Sequence, residues 1–120
     1  MGLTYADVEI RDLDQKHPAF SGRFLVDTGA VECVVNADDL RDAGVMPEGR
    51  KQYELADGSL REMDYGFARI KVRGAETVSE VVFAPAKSEP ILGVVVMELL
   101  GLVVDPRTNT LKKLAAVSLK

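Results

Sequence analysis

Residues 24–30 read Phe-Leu-Val-Asp-Thr-Gly-Ala, an apolar run that ends in an acid and is followed at once by turn-forming residues. A short apolar run bounded by turn signals is typical of a buried β-strand. We therefore predict a buried strand over residues 23–27 that emerges into a turn at residues 27–30. The apolar run at residues 33–35 predicts a second buried strand directly after the turn.

Alternating apolar and polar residues predict further strands on both sides of this stretch. The pattern covers residues 4–10 and is most regular over residues 68–72, and residues 78–84 form another extended run. Residues 12–22, which include a proline and a glycine, predict a loop after the first strand.

The middle of the chain carries a hairpin signal. Two extended runs, residues 53–55 and 60–63, flank Ala56-Asp57-Gly58-Ser59. An Asp-Gly pair between extended runs is a strong short-range indication of a β-hairpin. We therefore predict a hairpin with its turn at these four residues.

Two short helices are predicted beside the strands. Asn36 can cap a helix that begins with two acidic residues and ends at Gly44. Residues 94–100 predict a two-turn helix ended by Gly101, and two more short strands follow at residues 102–104 and 110–114. Many short strands joined by close turns indicate a mostly β protein, a small closed barrel or sandwich with one or two short helices, and residues 1–120 are expected to form a single domain.

Composition narrows the classes of function. The formal charge is −4 and no cluster of Lys and Arg is present, which argues against nucleic acid as a partner. No apolar run approaches the roughly 20 residues of a membrane span, and no secretory signal precedes the first strand, so we expect a cytoplasmic protein without a membrane partner. Cys33 is the only cysteine and His17 the only histidine, so we expect neither a disulfide nor a metal or other cofactor.

Two motifs together resemble the retropepsin-like aspartic proteases, the retroviral type. The first is the apolar-apolar-Asp-Thr-Gly sequence that ends at Gly29, and the second is the later apolar-apolar-Gly sequence Ile91-Leu92-Gly93. The order of the predicted elements also matches that family along nearly the whole chain. The resemblance implies the fold of the retropepsin-like acid proteases and an endopeptidase activity on a polypeptide substrate.

The resemblance also assigns roles to residues. It implies that Asp27 is catalytic, that Thr28 holds the turn through its hydroxyl, and that the backbone of Gly29 approaches and donates to the carboxylate. Residues of the hairpin turn would form a flap over the substrate. The substrate-binding residues would then be Ala30, Ala56, Asp57, Gly58 and Ser59.

Hydrolysis of an amide by water needs one group that accepts a proton and one that donates a proton, and two close carboxylates that share one proton do both. The chain has one Asp-Thr-Gly, and 120 residues are too few for a two-lobed enzyme with two such turns. A second copy must therefore supply the other carboxylate, which predicts a homodimer with a twofold axis between two Asp27 residues.

One departure from the family pattern concerns a charged pair. Many relatives place Arg directly after the apolar-apolar-Gly and an acid four residues beyond the catalytic Asp, where this chain has Val94 and Val31. Replacing both partners of an ion pair by apolar residues can be close to neutral for stability. The alternative hypothesis is a catalytically silent module that keeps the fold for peptide binding or dimerisation. The substrate sequence, the pH optimum and release from a longer precursor stay open at this point.

Overall fold

The computed structural model describes residues 2–117, which form a barrel of short strands with two helices packed against it. The strands are β1 (Tyr5–Arg11), β2 (Phe20–Val26), β3 (Cys33–Asn36), β4 (Gly49–Glu54), β5 (Leu60–Val72), β6 (Ala75–Ala84), β7 (Ile91–Leu92), β8 (Leu102–Asp105) and β9 (Thr110–Lys113), and the helices are α1 (Ala37–Asp42) and α2 (Val94–Leu100). The predicted mostly β fold with short helices is confirmed.

Strand pairing closes the barrel. The main sheet has the order β1-β2-β7-β3-β6-β5-β4, and a second pairing of β1 with β5 joins its ends into a ring of six strands. Strand β4 lies outside this ring and pairs only with β5, so the β4–β5 hairpin projects from the barrel. Strands β8 and β9 form a separate antiparallel hairpin, as the sequence of the tail predicts.

The barrel interior holds one hydrophobic core. Its largest fully buried side chains include Phe24, Ile10, Leu40 and Ile70. Cys33 is also fully buried in this core, and burial raises the pKa of its thiol to about 12. A thiol in this state is not a nucleophile near neutral pH, and Cys33 packs as a small apolar residue.

The predicted loop over residues 12–22 is too long, because β2 begins at Phe20. Gly22 pairs with Val8 inside the ladder of β1 and β2. A β-carbon at Gly22 would lie 3.2 Å from the Phe20 ring and 3.5 Å from the Phe24 ring. The glycine therefore makes room for two aromatic side chains on a strand and does not end the loop.

The two runs predicted at residues 60–63 and 68–72 belong to one strand, β5. Its first part pairs with β4, and its later part pairs with β6 and β1. Gly66 lies in the middle of this strand, where a β-carbon would be 2.5 Å from the carbonyl oxygen of Met46. The strand continues through this position because only glycine fits the close approach of another backbone.

The predicted helix ends are confirmed, and the predicted cap of α1 is wrong. Gly44 and Gly101 follow the two helices with positive φ values of 84° and 68°. Asn36 occupies the N-cap position of α1, but its side chain accepts no capping hydrogen bond from a backbone N–H of the first turn, and it only donates to the Asp39 carboxylate at 3.4 Å. Its amide instead donates to the carbonyl oxygen of Ser88 at 3.0 Å and accepts from the Ser88 N–H at 2.9 Å. This exchange holds the segment that leads into β7.

Candidate active site

Asp27 is the first residue after β2, and β7 holds it from one side. The Asp27 N–H donates to the carbonyl oxygen of Leu92 at 3.1 Å, which continues the parallel pairing of β2 with β7. The side chain of Asp27 is half-buried. The carboxylate thus stands where a buried strand reaches solvent, on a backbone fixed by a neighbouring strand.

The turn itself is closed by two hydrogen bonds. The Ala30 N–H donates to the carbonyl oxygen of Asp27 at 3.1 Å, and the Gly29 N–H donates to Asp27 Oδ1 at 2.9 Å. A β-carbon at Gly29 would lie 3.2 Å from the same oxygen, so a larger residue would crowd the carboxylate. A bond of this kind to a charged acceptor fixes the orientation of the carboxylate.

The role of Thr28 in holding the turn stays a prediction. The Thr28 side chain is exposed, and among residues 2–117 its hydroxyl makes no hydrogen bond. The bonds that hold the turn are therefore those of the backbone at Gly29 and Ala30.

The second motif supports the turn through the backbone of α2, which the sequence did not reveal. The Val94 N–H donates to the carbonyl oxygen of Ala30 at 2.8 Å, and the Val95 N–H donates to that of Val31 at 3.1 Å. These are N–H groups of the first helical turn, which have no partner within the helix. The start of α2 therefore fixes the carbonyl groups of Ala30 and Val31, at the end of the Asp27 turn.

Gly93 makes this contact possible. A β-carbon at Gly93 would lie 2.4 Å from the carbonyl oxygen of Glu32 and 2.6 Å from that of Val31. Its φ of −90° and ψ of 172° are accessible to any residue, so the glycine is required by space and not by backbone conformation.

A groove of about 550 Å³ runs between the Asp27 turn and β4. Gly29 and Ala30 line the groove at the turn, and Tyr53, Glu54 and Leu55 line it on the hairpin. Such a trough beside a carboxylate is open enough for an extended peptide.

The predicted flap residues lie at the tip of the β4–β5 hairpin, outside the wall of this groove. Ala56, Asp57, Gly58 and Ser59 are all exposed. The Gly58 N–H donates to the carbonyl oxygen of Leu55 at 2.9 Å, and Gly58 has a φ of 84°. The predicted hairpin turn with its glycine is confirmed, and residues 55–59 are named the flap tip below.

Asp57 stabilises the flap tip locally. Its Oδ1 accepts from the Ser59 hydroxyl at 2.6 Å and from the Ser59 N–H at 2.9 Å. These two hydrogen bonds lower the pKa of Asp57. The carboxylate of Asp57 is thus occupied in shaping the turn.

A charged cluster forms the far wall of the groove and was not predicted from the sequence. Glu80 on β6 accepts hydrogen bonds from Lys51 Nζ at 2.9 and 3.0 Å, and the Tyr53 hydroxyl lies 3.4 Å from its Oε2. Burial, followed by the charge of Glu80, raises the pKa of Tyr53 to about 12. The hydrogen bond to Glu80 is the main cause of the raised pKa of Lys51.

Glu32 lines the same groove from the segment after the Asp27 turn. Its half-buried position, followed by the negative charge of Glu80, raises the pKa of Glu32, and Lys51 offsets part of this effect. The three side chains come from positions 32, 51 and 80, and only the barrel brings them together.

The sequence also matches a known protein family. Residues 19–99 match the family described as "gag-polyprotein putative aspartyl protease". The chain belongs to this family. The match includes both motifs of this aspartyl protease family member: the Asp27 turn and the Ile91-Leu92-Gly93 segment that leads into α2. No curated protein matches the sequence.

Solved structures with the same fold are viral proteases of low sequence identity. The solution structure of simian foamy virus (mac) protease has a TM-score of 0.56 at 20% identity, over 81% of this chain and 94% of that one. A foamy viral protease-reverse transcriptase in complex with an RNA/DNA hybrid has a TM-score of 0.59 at 18% identity. That match covers 81% of this chain but only 12% of the viral one. The likeness establishes the retropepsin-like fold.

Within residues 2–117, no three His, Cys, Asp or Glu side chains are grouped so that they could hold a metal ion. Helices in the same residues are all too short or too polar to cross a membrane.

Proposed function

We propose that this member of the aspartyl protease family is a homodimeric aspartic endopeptidase whose two Asp27 carboxylates, one from each subunit, activate a water molecule. The observation that carries the proposal is the Asp27 carboxylate itself, half-buried at a strand end and oriented by the Gly29 N–H at 2.9 Å. A groove of about 550 Å³ begins at Gly29 and Ala30 of the same turn and extends along the hairpin. A polypeptide substrate in extended form suits this groove.

The need for two subunits follows from chemistry. A single carboxylate can accept a proton from water but cannot at the same moment donate one to the carbonyl oxygen of the substrate. Two carboxylates side by side cannot both ionise cheaply, so the pair keeps one proton, as is general for aspartic proteases. The ionised partner then accepts a proton from water, and the protonated partner donates its proton to the carbonyl oxygen.

The surface around Asp27 supports contact with a second copy. The Thr28 side chain next to the carboxylate is exposed, and Val31 beyond it is 61% exposed. An exposed apolar residue beside a catalytic turn is explained if another subunit covers it. A twofold axis past these residues would bring the two Asp27 side chains together.

Once the tetrahedral intermediate has formed, the same pair completes the reaction. The carboxyl group that accepted the proton from water returns it to the leaving amine, and the C–N bond breaks. The flap tip would cover the bound peptide and exclude water during these steps. The cytoplasm as the site of action stays a prediction from the sequence.

The test is hydrolysis of a peptide library by the purified protein and by Asp27→Asn. The amide keeps the shape of the side chain but cannot accept a proton from water, so we expect activity to fall by at least about 100-fold. Asp14→Asn is the matched control, because Asp14 is an acid with a 70% exposed side chain in the loop before β2. Near wild-type activity of Asp27→Asn would refute the aspartic mechanism.

The same experiment addresses the alternative, a silent module that binds peptides or dimerises. A wild-type protein that dimerises and binds library peptides but cleaves none of them would favour that alternative. The ordered carboxylate favours the enzyme, since a binding module has no need of an acid held in this way.

A further inference from the structure

Two carboxyl groups and a single cation face each other at the far wall of the groove. The Glu80 carboxylate is held by Lys51 at 2.9 and 3.0 Å, and its side chain is only 14% exposed. Glu32 lines the same groove as Glu80 and Lys51, and among residues 2–117 it forms no ion pair of its own. Lys51 neutralises one of the two acids, so the second negative charge has no fixed cation.

The other groups around Glu32 do not supply that cation. Tyr53 on β4 directs its hydroxyl to Glu80, and Tyr65 on β5 lies with its ring 4.3 Å below the Lys51 ammonium. Cys33, the next residue in the chain, is buried in the core. A proton on Glu32 or a cation from outside must therefore balance the pair.

The apolar lining of the rest of the groove indicates which kind of cation it would bind. Its walls between the catalytic turn and the acids are formed mainly by apolar side chains, Val31, Val34, Leu55, Met63, Val82 and Ile91. A long aliphatic chain can lie along apolar walls while its charged end reaches a polar partner. Lysine and arginine have this shape, whereas a free metal ion or a short ammonium group would leave the apolar walls uncovered.

We propose that Glu32, backed by Glu80 and Lys51, forms a subsite that selects a lysine or arginine side chain of the bound polypeptide. This inference rests on the proposed function, because it names the class of substrate for that same groove. A basic side chain of the substrate takes the place of the proton on Glu32. Selection is therefore strongest where Glu32 is ionised and weakens as the pH falls.

The experiment uses decapeptide pools in which one position at a time is fixed as Lys, Met or Glu and all others are varied. Lys and Met have side chains of similar length, so their ratio of kcat/KM isolates the charge. We expect one position at which wild type prefers Lys to Met by about tenfold at pH 7, as for a hydrogen bond between charged groups. The preference for Lys over Met should be smaller at pH 5. Titration of the catalytic pair changes kcat/KM equally for both pools, so it cancels in their ratio.

Glu32→Gln keeps the shape and removes the charge, so it should abolish both the preference and its dependence on pH. Glu76→Gln is the matched control, because Glu76 lies on the same strand as Glu80 and pairs with Arg69 away from the groove. Glu76→Gln should keep the wild-type preference. The inference is overturned if no position favours Lys in wild type, or if Glu32→Gln retains the preference.

A wild-type protein that cleaves no pool would contradict the proposed function but would still leave the subsite testable. The same pools would then be passed over immobilised wild type and Glu32→Gln at pH 7, and the retained peptides sequenced. Enrichment of the Lys pool by wild type alone would support the subsite, and equal retention of the Lys and Met pools would refute it.

Discussion

Replacement of Gly93 by alanine tests whether the start of α2 holds the catalytic turn. The new methyl group would lie 2.4 Å from the carbonyl oxygen of Glu32, and ordinary contact begins near 3.4 Å, so the backbone at residues 31–32 must move by about 1.0 Å. A movement of that size takes the bonds from Val94 and Val95, now 2.8 and 3.1 Å long, beyond 3.5 Å. Alanine itself is not strained here, because the φ of −90° suits any residue.

The expected loss of stability follows from these contacts. Two hydrogen bonds contribute about 1 kcal/mol each, and the forced shift adds about 1–3 kcal/mol. We therefore expect Gly93→Ala to lower the free energy of unfolding by about 3–5 kcal/mol. Because a displacement of about 1 Å at a reacting group can reduce the rate about 100-fold, kcat should fall by about that factor in the fraction that stays folded.

Urea unfolding followed by circular dichroism gives the stability, and peptide hydrolysis under folding conditions gives kcat. Gly74→Ala is the matched control: nothing lies within 4 Å of its β-carbon, and its φ of 80° adds conformational strain alone. It should destabilise by about 1–2 kcal/mol and leave kcat unchanged. A Gly93→Ala protein within 0.5 kcal/mol of wild type, with unchanged kcat, would refute the proposed coupling of α2 to the turn.

Three further predictions concern the dimer, the flap tip and Glu32. Specific activity should fall when the protein is diluted below the dimer dissociation constant. Excess Asp27→Asn subunits should inhibit wild type beyond simple dilution, because they capture active chains in heterodimers that have only one carboxylate. A monomer that is fully active, with its mass followed by sedimentation, would contradict this. Gly58→Val should slow turnover more than Gly74→Val, although the two glycines have similar φ values of 84° and 80°. Equal kinetics of the two variants would exclude a lid role for residues 55–59. Burial and the charge of Glu80 raise the pKa of Glu32 in the folded protein above its ordinary value, so wild type loses stability as the pH rises from the ordinary pKa through the raised one. Glu32→Gln should therefore have a higher Tm than wild type at pH 8 but not at pH 3; an equal difference at both values would contradict the linkage.

Local sequence patterns predicted most of the strands, helix ends and turns, because these features depend on residues that are neighbours in the sequence. The alternation in residues 68–72 gave a strand, and Gly101 ended α2 in the left-handed conformation as expected. The turn at Gly58 was also visible from its Asp-Gly pair. The position of Asp27 at the end of a buried strand followed from the same kind of local signal.

Contacts between distant residues account for what the sequence could not predict. Asn36 looks like a helix cap, yet its partner is Ser88, 52 positions away. Gly22 reads as a loop residue, but the packing of two phenylalanine rings places it in a strand. The position of Glu32 and Glu80 in one groove depends on the closed barrel in the same way, because no spacing along the chain indicates that these acids come together.

The central position of β7 has a consequence for the order in which the protein folds. This two-residue strand lies between β2 and β3 although it follows them by more than fifty positions, pairing Leu25 and Val34 with Ile91. Loop closure over such a distance is slow, and strands β2 and β3 cannot be joined through β7 until residue 91 has left the ribosome. During synthesis the chain therefore carries Asp27 long before it has an ordered site. The carboxylate of Asp27 therefore acquires its fixed orientation only when the ring of strands is complete.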